Sequence, residues 1–143
     1  MEYFEELTVG DSESFGAYDV TREELTTFAS QYDPQPIHID PDAAGASTFG
    51  GLVASGWHTA AMTMRLLVDH RLGGSGAMGA VGVDSLRWPE PVRPGDTLSV
   101  RTEVTGTEPV DGERGYVDFE VTTTTDAGDV VLTMEPRVVW RRR

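Results

Sequence analysis

The chain has 143 residues and no cysteine, with 24 Asp+Glu against 11 basic residues, for a formal net charge of −13. That length suits one hydrophobic core, since such cores commonly close at roughly 100–200 residues. Lack of thiols excludes disulfides and Cys-ligated metal or iron–sulfur centres, and so acidic a surface argues against nucleic acid, whose phosphates need clustered cations. In chain order, residues 13–20 read as a first strand with Phe15 and Tyr18 as its large apolar residues. Thr21, with Glu24 three residues on, has the pattern of a capping box. Leu25, Phe28, Ala29 and Tyr32 follow at helical spacing and predict a helix over 21–32 that ends at Pro34.

Residues 33–51, DPQPIHIDPDAAGASTFGG, hold three prolines and three glycines in nineteen positions. This composition predicts an ordered, functional loop with a single helical turn over 41–44. Residues 52–72 are the most apolar helical stretch: Ala61, Met64, Leu67 and Val68 mark one face, while Trp57, Ala60, Met62 and Leu66 leave little of the circumference polar. A helix apolar nearly all round is expected to be buried. Residues 78–88, 97–107, 115–125 and 130–141 are rich in Val, Thr and aromatics and are separated by turn residues, so they read as four more strands. In the third of these, Val117, Phe119, Val121 and Thr123 alternate with Asp118, Glu120 and Thr122, which leaves one sheet face wet. The expected fold is α+β, with five antiparallel strands curled round one helix in a single domain over 1–143.

All 11 basic residues are Arg. Excess carboxylate without Lys suits a protein that stays soluble in concentrated salt, where the Debye length is about 3 Å at 1 M. A halophilic cytoplasm is the expectation, an ordinary acidic protein the alternative. The N-terminus is acidic and lacks a signal-peptide pattern, and the longest apolar run, 60–68, is broken by Thr63 and Arg65. A cytoplasmic protein without membrane contact is expected.

The most informative six residues are DPQPIH, Asp33 to His38. A carboxylate and an imidazole on one stiff extended segment can reach the same small molecule, with water as the natural candidate for their proton transfers. The plainer reading is a turn-initiating Asp-Pro and a structural histidine beside Ile37. Ser55-Gly56-Trp57 opens the apolar helix, where free N–H groups and the positive end of the dipole lie, and Gly56 lets another group approach its amide. A carbonyl oxygen gaining negative charge fits there; capping by Ser55 is expected in either case. Trp57 and Met62 read as core or pocket wall, His58 as packing or capping, and His70 as a helix C-terminal charge. Arg87, Arg93 and the 141–143 tail are candidates for phosphate contacts, with surface charge balance as the alternative.

The stretches D-x-Q-P-I-H-x-D-P-x-A-A, F-G-G-L-V-A-S-G-W and W-P-E-P-V-R-P-G-D-T-L resemble the MaoC-like dehydratase family, whose best-known members are (R)-specific enoyl-CoA hydratases with a hot-dog fold. The resemblance covers nearly the whole chain. It implies that Asp33 and His38 activate water for addition to a trans-2-enoyl-CoA and that the Gly56 N–H stabilises the thioester oxygen. Substrate-binding roles then fall to Ser55, Trp57, Gln35, Arg87 and Arg93. The reaction needs no metal and no cofactor beyond the CoA of the acyl-CoA substrate, and the chain is expected to form a homodimer or a higher oligomer. Gln35 stands where the family usually has Asn, and Tyr32 where it has a small residue, which bears on acyl-chain preference. The rival activities are a hot-dog thioesterase, against which the lack of any acid from Gly56 through Val68 counts, and a noncatalytic acyl-CoA-binding subunit, which has no need of both Asp33 and His38.

Overall fold

A computed structural model describes residues 1–143. Strands β1 (Ser12–Asp19), β2 (Ala77–Arg87), β3 (Thr97–Pro109), β4 (Arg114–Thr125) and β5 (Val130–Arg141) form one antiparallel sheet in the order β1-β3-β4-β5-β2. The period-2 pattern sets its faces: Val117, Phe119, Val121 and Thr123 of β4 are buried, and the residues between them point the other way. Gly16 takes φ +94° at an irregularity in β1, and a Cβ there would meet the Leu66 side chain at 2.7 Å, so only glycine lets this strand bend over the helix behind it.

That helix, α4 (Gly56–Leu67), lies on the concave face, where Met62, Leu66 and Leu67 join Leu98, Val100, Leu132 and Trp140 in the core. The Thr63 and Thr123 hydroxyls, both 0 % exposed, meet at 2.8 Å across the helix–sheet interface. A π-helical turn, Val68–Leu72, continues α4. Its Arg71 guanidinium sits over the Phe119 and Trp140 rings and pairs with Glu2 at 2.6 Å.

Four expectations are corrected. The helix begins at Gly56 rather than at residue 52, because Val53 and Ala54 give their N–H groups to Ile37 O and Val92 O and so run extended. It is not buried all round: Trp57, Met64 and Val68 are 59 %, 44 % and 44 % exposed and form an apolar stripe on its outer side. Segment 33–51 is more helical than a loop with one turn: Pro36 opens a short helix, α2 (Pro36–Ile39), while the turn expected over 41–44 is present as α3 (Pro41–Ala46). Proline suits a first helical position, where its missing N–H would have had no partner. Finally, the capping box is half made: Thr21 Oγ1 accepts from Glu24 N–H in α1 (Arg22–Tyr32), while the Glu24 carboxylate turns away to Tyr18 and His58.

The arginine tail is folded back onto the N-terminal turn, with Arg142 on Glu5 at 2.9 Å and Arg143 on Glu6 at 3.4 Å. No helix is long and apolar enough to cross a membrane.

Candidate active site

The C-terminal end of α1, the short α2 and the start of α4 converge on one carboxylate. Asp33 is the C-cap residue of α1, and its Oδ1 accepts from Gln35 Nε2 at 2.7 Å. Its Oδ2 accepts from Ser55 Oγ at 2.7 Å and lies 3.3 Å from His38 Nε2. These donors favour the charged form. Gln35 first and Ser55 second hold the Asp33 carboxyl below its usual range against a smaller opposing effect of burial, and His38 adds to the lowering. Asp33 is therefore ionised at neutral pH.

His38 is fixed from its other side. Its Nδ1 lies 2.6 Å from Val53 O, and a carbonyl can only accept, so Nδ1 carries the hydrogen. Nε2 is left as the atom that can take or give a proton, and it faces Asp33. The extended run of residues 52–55 that delays the start of α4 is thus what sets the imidazole's orientation. Because His38 lies on a helical turn with Asp33 at the preceding helix end, two elements rather than the expected stiff extended loop bring the pair together.

Beside them α4 begins. His58 N–H and Thr59 N–H both return to Ser55 O, whereas the Gly56 and Trp57 N–H groups donate to nothing in the chain. The expected capping by Ser55 does not occur: its hydroxyl is committed to Asp33, so the helix start keeps two amides open. Gly56 and His38 line one cavity of about 240 Å³. A Cβ on Gly56 would lie 2.6 Å from the Trp88 indole, so glycine is required for that ring to cover the helix start.

A matching family model, described as a MaoC like domain, spans residues 7–127. The chain belongs to the MaoC-like dehydratase family. It is 34% identical over 140 residues to an (R)-specific enoyl-CoA hydratase of Rhodospirillum rubrum, covering 97% of this chain and 92% of that protein. The crystal structure of a MaoC-like dehydratase from Rhodospirillum rubrum superposes with a TM-score of 0.91 at 43% identity, covering 99% of this chain and 97% of that one. An (R)-hydratase from Pseudomonas aeruginosa gives a TM-score of 0.79 at 25% identity, with 99% and 86% covered. The expected hot-dog fold is borne out, and these three relatives are named as hydratases or a dehydratase, which supports a hydro-lyase family.

The remaining candidates of this MaoC-like chain divide by place. Gln35 is engaged with Asp33 rather than free for a ligand. Trp57 is an exposed residue, not core, and meets Trp88 edge-on with ring centroids 5.2 Å apart. Arg93 reaches Phe49 O at 2.7 Å near the cavity mouth, while the Arg87 guanidinium touches only its neighbour's carbonyl, Leu86 O. Met62 is core, and His70 stacks on Phe15 at 5.2 Å rather than serving only as a terminal charge. His58 is buried against Phe28 with centroids 4.6 Å apart, and its Nε2 is 3.3 Å from Glu24. Burial lowers the His58 pKa, and burial with Glu24 pushes Tyr18 up to about 12.

Two features escape the sequence reading. Ser55 as the second support of Asp33 joins positions 22 residues apart, which no local spacing reveals. Trp88 covers Gly56, although the W-P-E-P run that carries it was visible as a motif.

Proposed function

We propose that the chain reversibly hydrates a trans-2-enoyl-CoA to the (R)-3-hydroxyacyl-CoA, with no cofactor beyond the CoA of the substrate. The observation that carries this reading is the Asp33–His38 contact at 3.3 Å, held from both sides and set beside the unengaged amides of α4. Water held between the two side chains loses a proton to Asp33 as its oxygen bonds to C3. His38 in its protonated form gives the Nε2 proton to C2, and transfer from Asp33 to His38 resets the pair. Negative charge on the thioester oxygen is met by the Gly56 N–H, a contribution of the kind worth roughly 3–4 kcal/mol when one such donor is lost. Arg87 and Arg93, neither held by a carboxylate, are the cations available to CoA phosphates.

Thioester hydrolysis lacks an acid on α4, and a mere binding subunit needs no carboxylate whose two oxygens are separately fixed. The test is loss of the conjugated thioester's absorbance with crotonyl-CoA. Asp33→Asn and His38→Ala are each expected to lower kcat by at least 1,000-fold (~4 kcal/mol) while keeping the fold. Retention of most activity in either variant, or release of free thiol by the wild type, refutes the reading.

The functional unit is proposed to be a homodimer. Met78, Val81 and Val83 of the edge strand β2 are about half exposed, and an apolar groove of about 490 Å³ is walled by Ala77, Ala80 and Val83 of that strand and by Trp57, Met64 and Val68 of the outer helix stripe. Apolar surface of that kind is what association removes from water.

A further inference from the structure

Resting on the hydratase reading, we propose that Trp88 is the gauge of acyl-chain length and restricts this enzyme to short substrates of about four to six carbons. The cavity is lined by His38 and Gly56, with Asp33 at its edge through the 3.3 Å contact with His38 Nε2, and C1 to C3 of the substrate are assigned to it. Beyond those two residues its wall is mostly apolar, with Ile37, Phe49, Val92, Trp88 and Val131, and its one charged side chain is Glu90. A carboxylate there repels phosphate, so the acyl end rather than the nucleotide end of the thioester enters.

The space is finite and its floor is fixed. At about 240 Å³ it lies below the roughly 300–1,000 Å³ of ordinary ligand pockets. The thioester carbonyl, the alkene and the attacking water take part of that, which leaves a tail of only a few carbons. Val131 and Val92 are 0 % and 2 % exposed and belong to the core, so they cannot retreat without disturbing the sheet. Trp88 differs: it is 40 % exposed, its indole lies against Gly56, and Trp57 meets it edge-on. The segment behind it is anchored, because Val92 O accepts from Ala54 N–H at 2.8 Å and Arg93 N–H donates to Asp96 at 2.8 Å. Removing the indole therefore enlarges the chamber without unseating the backbone.

The experiment compares wild type with Trp88→Phe, Trp88→Leu and Trp88→Ala on trans-2-enoyl-CoA esters of four, six, eight and ten carbons. Binding of the saturated acyl-CoA esters of the same lengths, measured by calorimetry, accompanies the kinetics. Wild type is expected to favour four and six carbons. Trp88→Ala is expected to raise the ratio of kcat/KM for eight carbons over four by at least tenfold, with Leu intermediate and Phe close to wild type. The binding series should shift in the same order, which keeps the test valid if a variant loses turnover. An unchanged chain-length profile in all three variants, or a KM increase uniform across lengths, overturns the assignment, the latter because it places the pantetheine arm against Trp88. A wild type that hydrates no ester at all fails the reaction reading instead, and the binding series still decides the role of Trp88.

Discussion

Asp33 is held below its ordinary carboxyl pKa chiefly by neighbours that are not themselves charged. Gln35 and Ser55 donate to its two oxygens, and each bond is stronger to carboxylate than to carboxylic acid. Ser55→Ala removes one donor, so the Asp33 pKa should rise toward its ordinary value. The acid limb of the kcat/KM profile should then move to higher pH, with a fall of a few-fold to tenfold in kcat from looser orientation. Gln35→Ala removes the larger effect and should move the limb further. The sign for stability follows from linkage: a depressed folded-state pKa contributes stability above the unfolded value of about 3.9, and that contribution is lost as pH falls through the folded value. Both variants should therefore lose some stability at neutral pH and less at low pH. A pH–rate profile whose acid limb stays in place in both variants would show that neither bond governs the protonation of Asp33.

At the level of elements, α4 is registered on the sheet by a polar contact in an apolar interface. Thr63 and Thr123 share one hydrogen bond with both residues fully buried. Thr63→Val leaves the Thr123 hydroxyl with one partner fewer, at a cost of about 1–3 kcal/mol. Thr63→Val with Thr123→Val removes both polar groups and should recover most of that loss. Chemical denaturation reads the cycle, and full additivity of the two single variants would mean that the hydroxyls do not interact. Elements like β4, whose Val117–Thr123 alternation is strict, were legible in the sequence because one face is buried and the period is local. The start of α4 was not legible, since the apolar run through Leu52 and Val53 is compatible with either a buried strand or a helix, and the deciding partners are Ile37 O and Val92 O. The helical turn beneath His38 was hidden for a related reason: prolines that exclude helix interiors also begin helices. Asp33, His38 and Gly56 were readable as a group, but the support of Asp33 by Ser55 was not, because it exists only after α1 and α4 have packed.

For the whole molecule, two properties oppose each other. The outer face of α4 and the edge strand β2 expose Trp57, Met64, Val81 and Val83, which favours association. A net charge of −13 on each copy opposes it through like-charge repulsion. Salt weakens only the second effect, since the Debye length falls from about 10 Å at 0.1 M to about 3 Å at 1 M while exclusion of apolar surface from water persists. Sedimentation equilibrium should therefore give a dimer whose Kd falls by at least tenfold between 0.1 and 1 M NaCl. Val83→Glu places a carboxylate in the apolar groove beside α4 and should yield a folded monomer at low salt, with dimer only partly restored at high salt. Persistence of the Val83→Glu dimer at low salt would locate the interface elsewhere on the protomer. A wild-type dimer equally tight at both salt concentrations would leave the β2–α4 interface standing but show that repulsion between the carboxylate-rich surfaces does not govern association.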